Sequence, residues 1–523
     1  MRRETSMVVL LLHSLLISGL CSCGTTATIQ TTPAAPTIRR FIYAHYFNPF
    51  IYGEAPVVTG SEHWDTWTQH EFDPPDWWPE AFAPDSDAGQ VAIEQDFEWG
   101  QAAGLDAFGL IVLFNAPTWP AYETSYLNNV ASVASRSGLK ILPDIWPEQQ
   151  AFDSPDPQIA SANALRYGQF VKQWMDANPG AFVWLNNKPV INLGASLVED
   201  ANVVPATFMH FFDPWGGPGN CYIIADIGNA ANAAAWGPYV NAFSGWPSEG
   251  GWDPSLAVIT TQLAQLASRF SRDLSWPIFP SYFETHYPWP SPRAMGEYLG
   301  ASSYIDNWIT ALNNGSKFIQ LETWDDFTED SALTNTNLRG TSLIDLTSYF
   351  AAWAHGGVQP PVTTERVFLF HHRQLTTTTY SAATELAVSP EWATKTPTTD
   401  YIEVVTLLQT AATLTVSAGG DSWTKEVPRG LHEWLIYKPS IISAPVNVPS
   451  NQFAPAYVQA GSYPTGTSRR DVTIASAPFS PGTPEVIVTR GASIVLTGIS
   501  RVGWQASARW QDMTMVGDEW IIP

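Results

Sequence analysis

The chain has little charge and very little cysteine. Only 14% of its 523 residues are Asp, Glu, Lys or Arg, whereas an average soluble domain has about 25%. This scarcity excludes a coiled coil and a solenoid of charged helices, which both depend on charged surfaces. The three cysteines are too few for a disulfide framework. Apolar runs are short, which excludes a polytopic membrane protein.

Basic residues are the scarcest of the charged types. The chain has 25 Lys and Arg against 49 Asp and Glu, for a net charge of −24. This balance repels phosphate backbones and anionic lipid surfaces, so we expect no nucleic-acid partner. Aromatic residues are abundant, with 24 Trp, and aromatic rings suit a surface that binds the apolar faces of sugars. The composition is equally typical of an acidic extracellular protein without a sugar ligand.

The amino end predicts export and a lipid anchor. Arg2 and Arg3 precede a short apolar run at residues 7–20, which is typical of a secretory signal rather than a membrane span. Leu20-Cys-Ser-Cys23-Gly resembles a bacterial lipobox, so we predict a lipoprotein signal at residues 1–23 and lipidation of Cys23. Ordinary signal cleavage is the alternative. Residues 24–38 read as a tether. Cys221 begins an apolar run and is predicted to be a buried thiol.

Strand and helix patterns alternate from residue 39 to residue 355. We predict a (β/α)8 barrel over this range, with a doubly wound open sheet as the alternative. The helices are expected at residues 88–103, 122–137, 159–177, 253–271, 303–313 and 342–354. The strands are expected at residues 40–47, 106–114, 139–145, 189–193, 221–226, 239–244, 277–283 and 317–324.

Helix signals nearly vanish after residue 355. Gly356-Gly and Pro360-Pro mark a boundary, and the runs beyond it are short, β-branched and bounded by turns. One or two β-sandwich modules are therefore expected, divided as a module at residues 362–440 and a second β-rich module at residues 441–523.

Carboxylates dominate the predicted carboxyl ends of the barrel strands, where barrel enzymes build their active sites. Such groups suit glycoside hydrolysis, in which one carboxylic acid protonates the leaving oxygen and a second carboxylate acts as base or nucleophile. The segment after the eighth strand has four carboxylates within its last six residues, including Asp326 and Glu329. Their spacing of three fits a helical turn or an extended chain. A calcium site is the competing use for them.

Five motifs in order resemble glycoside hydrolase family 71, the α-1,3-glucanases or mutanases, over about residues 40–440. They are Phe41-Ile-Tyr-Ala-His45-Tyr-Phe47; Ile93-Glu-Gln-Asp96 with Gly104-Leu-Asp106-Ala-Phe108; Leu139-Lys-Ile-Leu-Pro-Asp144; Lys188-Pro-Val-Ile191; and Thr323-Trp-Asp-Asp326-Phe-Thr-Glu329-Asp330. A β-rich tail beginning near Phe368-Leu-Phe370 also resembles the family's tail.

The resemblance implies a secreted endo-acting hydrolase of α-1,3-glucan. By its motif, Asp326 and Glu329 match the family's catalytic Asp-x-x-Glu pair, which acts with inversion and without a metal or organic cofactor. The chain departs from the family motif Thr-Trp-Asn-Asp-Tyr-Gly-Glu-Ser at four positions, where it has Asp325, Phe327, Thr328 and Asp330. These departures leave open an α-mannan or another α-glucan as substrate. They also leave open a surface lipoprotein that binds glycan without cleaving it.

Other strand-end residues are candidates for substrate binding. His45 and Asp144 are expected to grip a sugar ring, and Asp325 lies beside the catalytic pair. The stacking candidates are Trp146, Trp246, Trp289 and Trp324, and the candidates for a neighbouring subsite are Glu284 and His286. We expect a monomer at the cell surface or in the periplasm. Its partner would be a polysaccharide, and it would contact membrane only through the lipid anchor.

Overall fold

A computed structural model describes residues 39–47, 87–114, 121–147, 152–245, 254–283, 293–326, 329–380, 388–389, 399–438, 468–508 and 513–523. Among these residues, no helix combines the length and the apolar character that a membrane crossing requires. The signal, Cys23 and the tether lie outside the described residues.

Eight parallel strands form a closed barrel. Each strand pairs with its neighbours in chain order, the eighth pairs with the first, and the ring closes between the third and fourth at Asp144 and Asn192. The closed ring confirms the predicted barrel and excludes the open sheet. The strands are β1 (Phe41–Tyr46), β2 (Ala107–Phe114), β3 (Lys140–Pro147), β4 (Lys188–Leu193), β5 (Tyr222–Asp226), β6 (Ala242–Ser244), β7 (Asp273–Ile278) and β8 (Phe318–Leu321).

Helices surround the barrel much as the sequence predicts. All six expected helices are present, within two residues of their predicted limits. They are α1 (Asp87–Ala102), α2 (Ala121–Arg136), α3 (Pro157–Ala177), α5 (Pro254–Arg269), α6 (Ser302–Asn313) and α7 (Ser342–Gly356), with a shorter helix, α4 (Ala230–Trp236), after β5. The connection between β4 and β5 contains only short helices, at Ala195–Val198, Pro205–Phe208, Met209–Trp215 and Pro218–Asn220.

Strand side chains alternate between the barrel interior and the helix layer, because successive residues of a strand point to opposite faces. The interior has its own apolar cluster, which includes Tyr43, Leu142, Val190, Ile224 and Phe318. A larger cluster between the barrel and the helices contains the residues that alternate with them. Two residues further along six of the eight strands, the inward positions become polar. This change brings polar groups together at the carboxyl ends of the strands.

The seventh strand differs from its prediction. It spans Asp273–Ile278 rather than residues 277–283, and Tyr282–Phe283 forms a separate short strand that pairs with Arg293–Gly296. The start of β7 has two polar side chains and therefore lacks a continuous apolar run. Asp273 Oδ2 lies 2.7 Å from Lys317 Nζ, and Ser275 Oγ lies 3.2 Å from the Tyr43 hydroxyl. Both groups thus have partners that the sequence pattern does not reveal.

The chain after the barrel forms two facing sheets. The first has the order β14-β13-β10-β9-β17 and the second β12-β11-β15-β16. The strands are β9 (Arg366–His372), β10 (Asp400–Leu408), β11 (Ala412–Ala418), β12 (Asp421–Val427), β13 (Gly430–Lys438), β14 (Arg470–Ile474), β15 (Glu485–Arg490), β16 (Ser493–Ile499) and β17 (Met515–Ile521).

Both sheets combine strands from the two expected modules. β13 pairs with β14, β9 with β17, and β11 with β15. The expected division between residues 440 and 441 therefore does not separate two sheets, and the strands form the single sandwich that the sequence left open as an alternative. A single sequence could not show this, because the pairing partners are far apart along the chain.

The five-stranded sheet is buried on both faces. Val367 and Leu369 pack in the cluster between the two sheets. The alternate residues Phe368 and Phe370 belong to the cluster that extends from the barrel. The core between the barrel and its helices therefore continues onto one face of this sheet, whereas the core between the two sheets is a separate cluster.

Candidate active site at the carboxyl ends of the barrel strands

Polar side chains from six of the eight strands, together with Glu322 directly after β8, meet inside the carboxyl end of the barrel. Each of the strand residues lies at one of the last two inward-pointing positions of its strand. All are completely buried. They are Tyr43, His45, Asp144, Asn192, Asp226, Ser244, Gln320 and Glu322.

His45 and Asp144, two predicted sugar-binding residues, contact each other. His45 Nδ1 lies 2.5 Å from Asp144 Oδ2. Burial by itself would lower the pKa of His45, but the adjacent Asp144 carboxylate outweighs it and raises the pKa above its usual value. Asn192 Nδ2 donates to Asp144 Oδ1 at 2.8 Å and lies 3.5 Å from Asp226 Oδ2. The structure thus joins β1, β3, β4 and β5 through one polar chain.

Gln320 is at the centre of this network, and the sequence reasoning missed it. Its Oε1 accepts hydrogen bonds from the hydroxyls of Tyr43 and Ser244. Its Nε2 lies 2.6 Å from His45 Nε2 and donates to Glu322 Oε1 at 2.7 Å. With this amide orientation His45 Nε2 accepts, which leaves the Nδ1 proton for Asp144. A polar residue at an inward position of an apolar strand was the available signal, for Gln320 and for Asn192 alike.

Asp226 is a buried acid in the same network. Burial raises its pKa to about 7, the positive charge that His45 can carry opposes the rise, and Asp144 adds to it. A carboxyl group with a pKa in this range can hold or release a proton near neutral pH.

Trp324 differs from its prediction as a stacking platform. Its side chain is completely buried and packs against Phe108, with ring centroids 5.1 Å apart. Its indole Nε1 donates to Asp96 Oδ1 at 3.0 Å. Trp324 therefore lies in the layer between barrel and helices, where no sugar can reach either face of the ring.

Asp96 lies on α1 and hydrogen-bonds to side chains from β1 and from the segment after β8. Its carboxylate also accepts from the Tyr46 hydroxyl at 3.0 Å and lies 3.3 Å from Thr334 Oγ1. Burial raises the pKa of Asp96 to about 7, although its three hydrogen bonds oppose the rise. The family motif contains Asp96, but its position along the chain does not indicate that it lies behind the turn after β8.

Asp325 is also buried, with 1% of its surface exposed. Its Oδ1 accepts the backbone N–H of Phe47 at 2.8 Å, which links the segment after β8 to the end of β1. Burial raises the pKa of Asp325 well above its usual value, and the neighbouring Asp96 and Asp326 carboxyls raise it further. The expected contact with substrate is replaced in this structure by contacts with the protein interior.

The predicted catalytic pair lies on a compact turn. Asp326 N donates to Thr323 Oγ1 at 3.0 Å, and the backbone N–H of Glu329 donates to Asp326 Oδ1 at 3.2 Å. The N–H of Ser331 donates to the Asp326 carbonyl at 3.2 Å. Asp326 is 3% exposed, and Glu329 is half-buried. The turn excludes the extended arrangement that the spacing alone allowed.

Of the two predicted stacking residues that the structure describes, Trp146 and Trp324, only Trp146 lies at the network. It is half-buried, and its ring lies edge-on to His45, with centroids 6.3 Å apart. The backbone of Gly194 approaches its indole so closely that a Cβ atom there would lie 2.2 Å from Nε1. The remaining predicted binding residues, Trp246, Glu284, His286 and Trp289, lie outside the described residues.

The part of the chain that the structure describes contains no candidate metal site. No cluster of three or more His, Cys, Asp or Glu side chains there has the arrangement of a metal site. Cys221 is buried as predicted, and burial raises the pKa of its thiol to about 12, which removes it as a nucleophile at neutral pH.

Comparisons with known proteins give remote structural similarity only. No protein-family model and no curated protein matches the chain, so the resemblance to family 71 rests on its motifs. The solved structures that are similar include a GH99 endo-alpha-mannosidase from Bacteroides thetaiotaomicron, with 14% identity and a TM-score of 0.46 over 60% of this chain and 97% of that one. Another is an exo-beta-1,4-mannosidase from Opitutaceae bacterium strain TAV5, with 14% identity and a TM-score of 0.40 over 55% of this chain and 61% of that one.

Proposed function

We propose that this protein is a glycoside hydrolase in which Asp326 and Glu329 supply the acid and base. The observation that carries the proposal is the turn after β8, in which the backbone N–H of Glu329 donates to Asp326 Oδ1, so that the two residues lie together at the carboxyl end of a closed barrel. Two carboxyl groups at such a position are the minimum that hydrolysis of a glycosidic bond requires. No metal or organic cofactor takes part in this chemistry.

Glu329 is the proposed general acid and Asp326 the proposed general base. Glu329 gives its proton to the oxygen of the leaving sugar as the bond from that oxygen to the anomeric carbon breaks. Water attacks the same carbon from the opposite face, and Asp326 accepts the proton that this water loses. The N–H of Glu329 holds the Asp326 carboxyl in one orientation, which a base that directs water needs. The inverting outcome follows from the resemblance to family 71.

An α-1,3-glucan is the proposed substrate, cleaved at internal bonds. The order of the five motifs supports this linkage. The chain departs from the family motif at Asp325 and Asp330, and for this reason an α-mannan, or another α-glucan, is the second candidate. The lipobox-like sequence supports a cell-surface or periplasmic location with Cys23 as the lipid anchor.

Reducing-sugar release on a linkage panel tests the proposal. The purified protein is incubated with α-1,3-glucan, α-1,4-glucan and α-mannan. We expect release from α-1,3-glucan alone. Asp326→Asn and Glu329→Gln should each lower the rate at least about a hundredfold, because general acid or base catalysis contributes that much, while far-UV circular dichroism stays unchanged.

Each other outcome has a definite meaning. Release from another polymer alone would keep the carboxylates and replace the linkage. Wild-type rates in either variant would refute the assignment of the pair. Tight binding to one polymer without release by the wild-type protein would instead identify a glycan-binding surface protein.

A further inference from the structure

The turn that carries Glu329 also contacts the sandwich. Asp330 follows Glu329 directly and has a left-handed backbone conformation, with φ of 54°. Its side chain is 3% exposed. Its Oδ2 accepts the backbone N–H of Met515 at 3.1 Å, and Met515 is the first residue of β17. A side chain of the barrel thus binds the end of a sandwich strand one residue from the proposed acid.

A buried arginine fixes the other side of Asp330. The Arg339 side chain is 1% exposed, and its Nη1 lies 3.1 Å from Asp330 Oδ1. The same nitrogen donates to the Asp330 carbonyl at 3.0 Å and to Ser281 Oγ at 2.9 Å. The Asp330 carboxylate therefore lies between a cation of the barrel and a backbone amide of the sandwich, and both hold it in place.

Strand β17 makes a second bond to the same region. The backbone N–H of Gly517 donates to the Leu338 carbonyl at 2.9 Å. The strand is itself fixed, because it pairs with β9 along all seven of its residues. The segment from Asp330 to Leu338 is thus bonded at both ends to β17.

We propose that β17, acting through Asp330, positions Glu329, so that the sandwich is a working part of the active site rather than an added glycan-binding module. This inference rests on the proposed function, since it gives Glu329 a role in the reaction. Asp330 is a positioning residue, because it acts through its neighbour. Small displacements of a general acid lower the rate strongly while the rest of the site still binds substrate.

Two substitutions at Met515 distinguish the contribution of its backbone N–H from that of its side chain. Met515→Ala and Met515→Pro both remove most of the buried side chain, but only proline removes the N–H that Asp330 accepts. Proline is tolerated at the first residue of a strand. The measurements are kcat, KM and melting temperature, on the polymer that the wild-type protein hydrolyses and on the matching glycosyl fluoride.

We expect kcat on the polymer to be at least about tenfold lower in Met515→Pro than in Met515→Ala, with KM alike. The melting temperature should be lower in Met515→Pro, because the buried Asp330 oxygen loses its donor. Fluoride departs without a proton from the acid. The difference in kcat on the glycosyl fluoride should therefore be less than about threefold. A merely structural role of β17 would lower both rates together.

The outcomes distinguish the inference from the proposed function. Equal kcat in the two variants, or equal losses on both substrates, would overturn the positioning role and leave the hydrolase standing. No release by the wild-type protein would instead overturn the function. If the proline variant does not fold, Asp330→Asn and Asp330→Ala replace the pair. Asn keeps an acceptor for the Met515 N–H and should retain a kcat at least about tenfold above Ala, whereas equal kcat would refute the inference.

Discussion

Asp325 is a carboxyl group at a position where the motif of family 71 has an amide. A neutral carboxyl group has nearly the same shape as an amide and can accept the same bond from Phe47 N–H. Its Oδ2 is buried with no hydrogen-bond partner among the described residues. Burial raises its pKa most, and the titratable groups Asp96 and Asp326 raise it further. These surroundings favour the protonated form.

The protonation of Asp325 predicts a stability that falls as pH rises. An unfolded chain loses this proton at a pKa of about 3.9, whereas the raised pKa keeps it in the folded chain. The folded state then binds more protons, so the free energy of unfolding decreases by about 1.4 kcal/mol per pH unit from about pH 4 up to the folded pKa. Asp325→Asn removes the contribution of this group to the decrease in the free energy of unfolding. Urea unfolding from about pH 4 to about pH 8 should show that the free energy of unfolding of the variant rises relative to that of the wild-type protein as pH rises.

The exposed residue Asp421 provides the control. Asp421→Asn makes the same substitution on the surface, and its free energy of unfolding should run parallel to that of the wild-type protein over the whole pH range. A constant difference between Asp325→Asn and the wild-type protein would show that Asp325 is ionised in the folded chain and would refute the prediction.

Single residues show where the sequence was informative about the site. The motif order correctly brought His45 and Asp144 together and did not decide between a turn and an extended chain at Asp326. It did not indicate that Trp324 faces the helix layer, because the chain leaves the strand pattern after Leu321. Gln320 was missed because one polar residue in an apolar strand does not reveal which face of the strand it is on.

At the scale of elements, α3 packs unusually closely against the short helix Met209–Trp215. A Cβ atom on Gly168 would lie 1.8 Å from the Phe211 carbonyl oxygen. The absence of a side chain at Gly168 lets the two backbones approach.

Gly168→Ala should therefore destabilise the fold despite its better helix propensity. Alanine gains about 1 kcal/mol in an open helix position, but the clash with Phe211 must separate the two helices at a cost of about 1–3 kcal/mol beyond that gain. The matched control is Gly356→Ala in α7, where a Cβ atom would meet nothing within 4 Å. Chemical denaturation should show a loss for the first variant and no loss for the second. Equal stabilities of the two variants would contradict the close packing.

The success of the sequence analysis also differs between kinds of element. Barrel strands buried on both faces, such as Tyr222–Asp226, are short apolar runs with clear limits. The start of β7 was missed because its polar side chains have partners across the barrel. The sandwich strands were visible one by one, but their order depends on contacts between distant segments, such as β9 with β17.

At the scale of the whole molecule, a buried ionic cluster joins the barrel to the sandwich. Arg470 on β14 is 1% exposed in its side chain, and its Nη2 lies 2.6 Å from Glu433 Oε2 on β13. Its Nη1 lies 3.0 Å from Asp306 Oδ2 on α6, and its Nη2 donates to the Ser302 carbonyl at 3.1 Å. Burial raises the pKa of Glu433 to about 8, Arg470 opposes the rise and Glu403 adds to it.

Removing this cation should weaken both parts of the molecule together. Arg470→Ala removes a buried cation together with its bonds to Glu433, Asp306 and the Ser302 carbonyl, which costs about 3–5 kcal/mol. Because the barrel core continues onto one face of the five-stranded sheet, we expect a single calorimetric transition at a lower temperature rather than the loss of the sandwich alone. Arg490→Ala removes a pair with Glu365 that is more exposed and should cost at most about 1 kcal/mol. Two separate transitions in Arg470→Ala would show that the sandwich unfolds independently, and a strand that unfolds independently could not position Glu329.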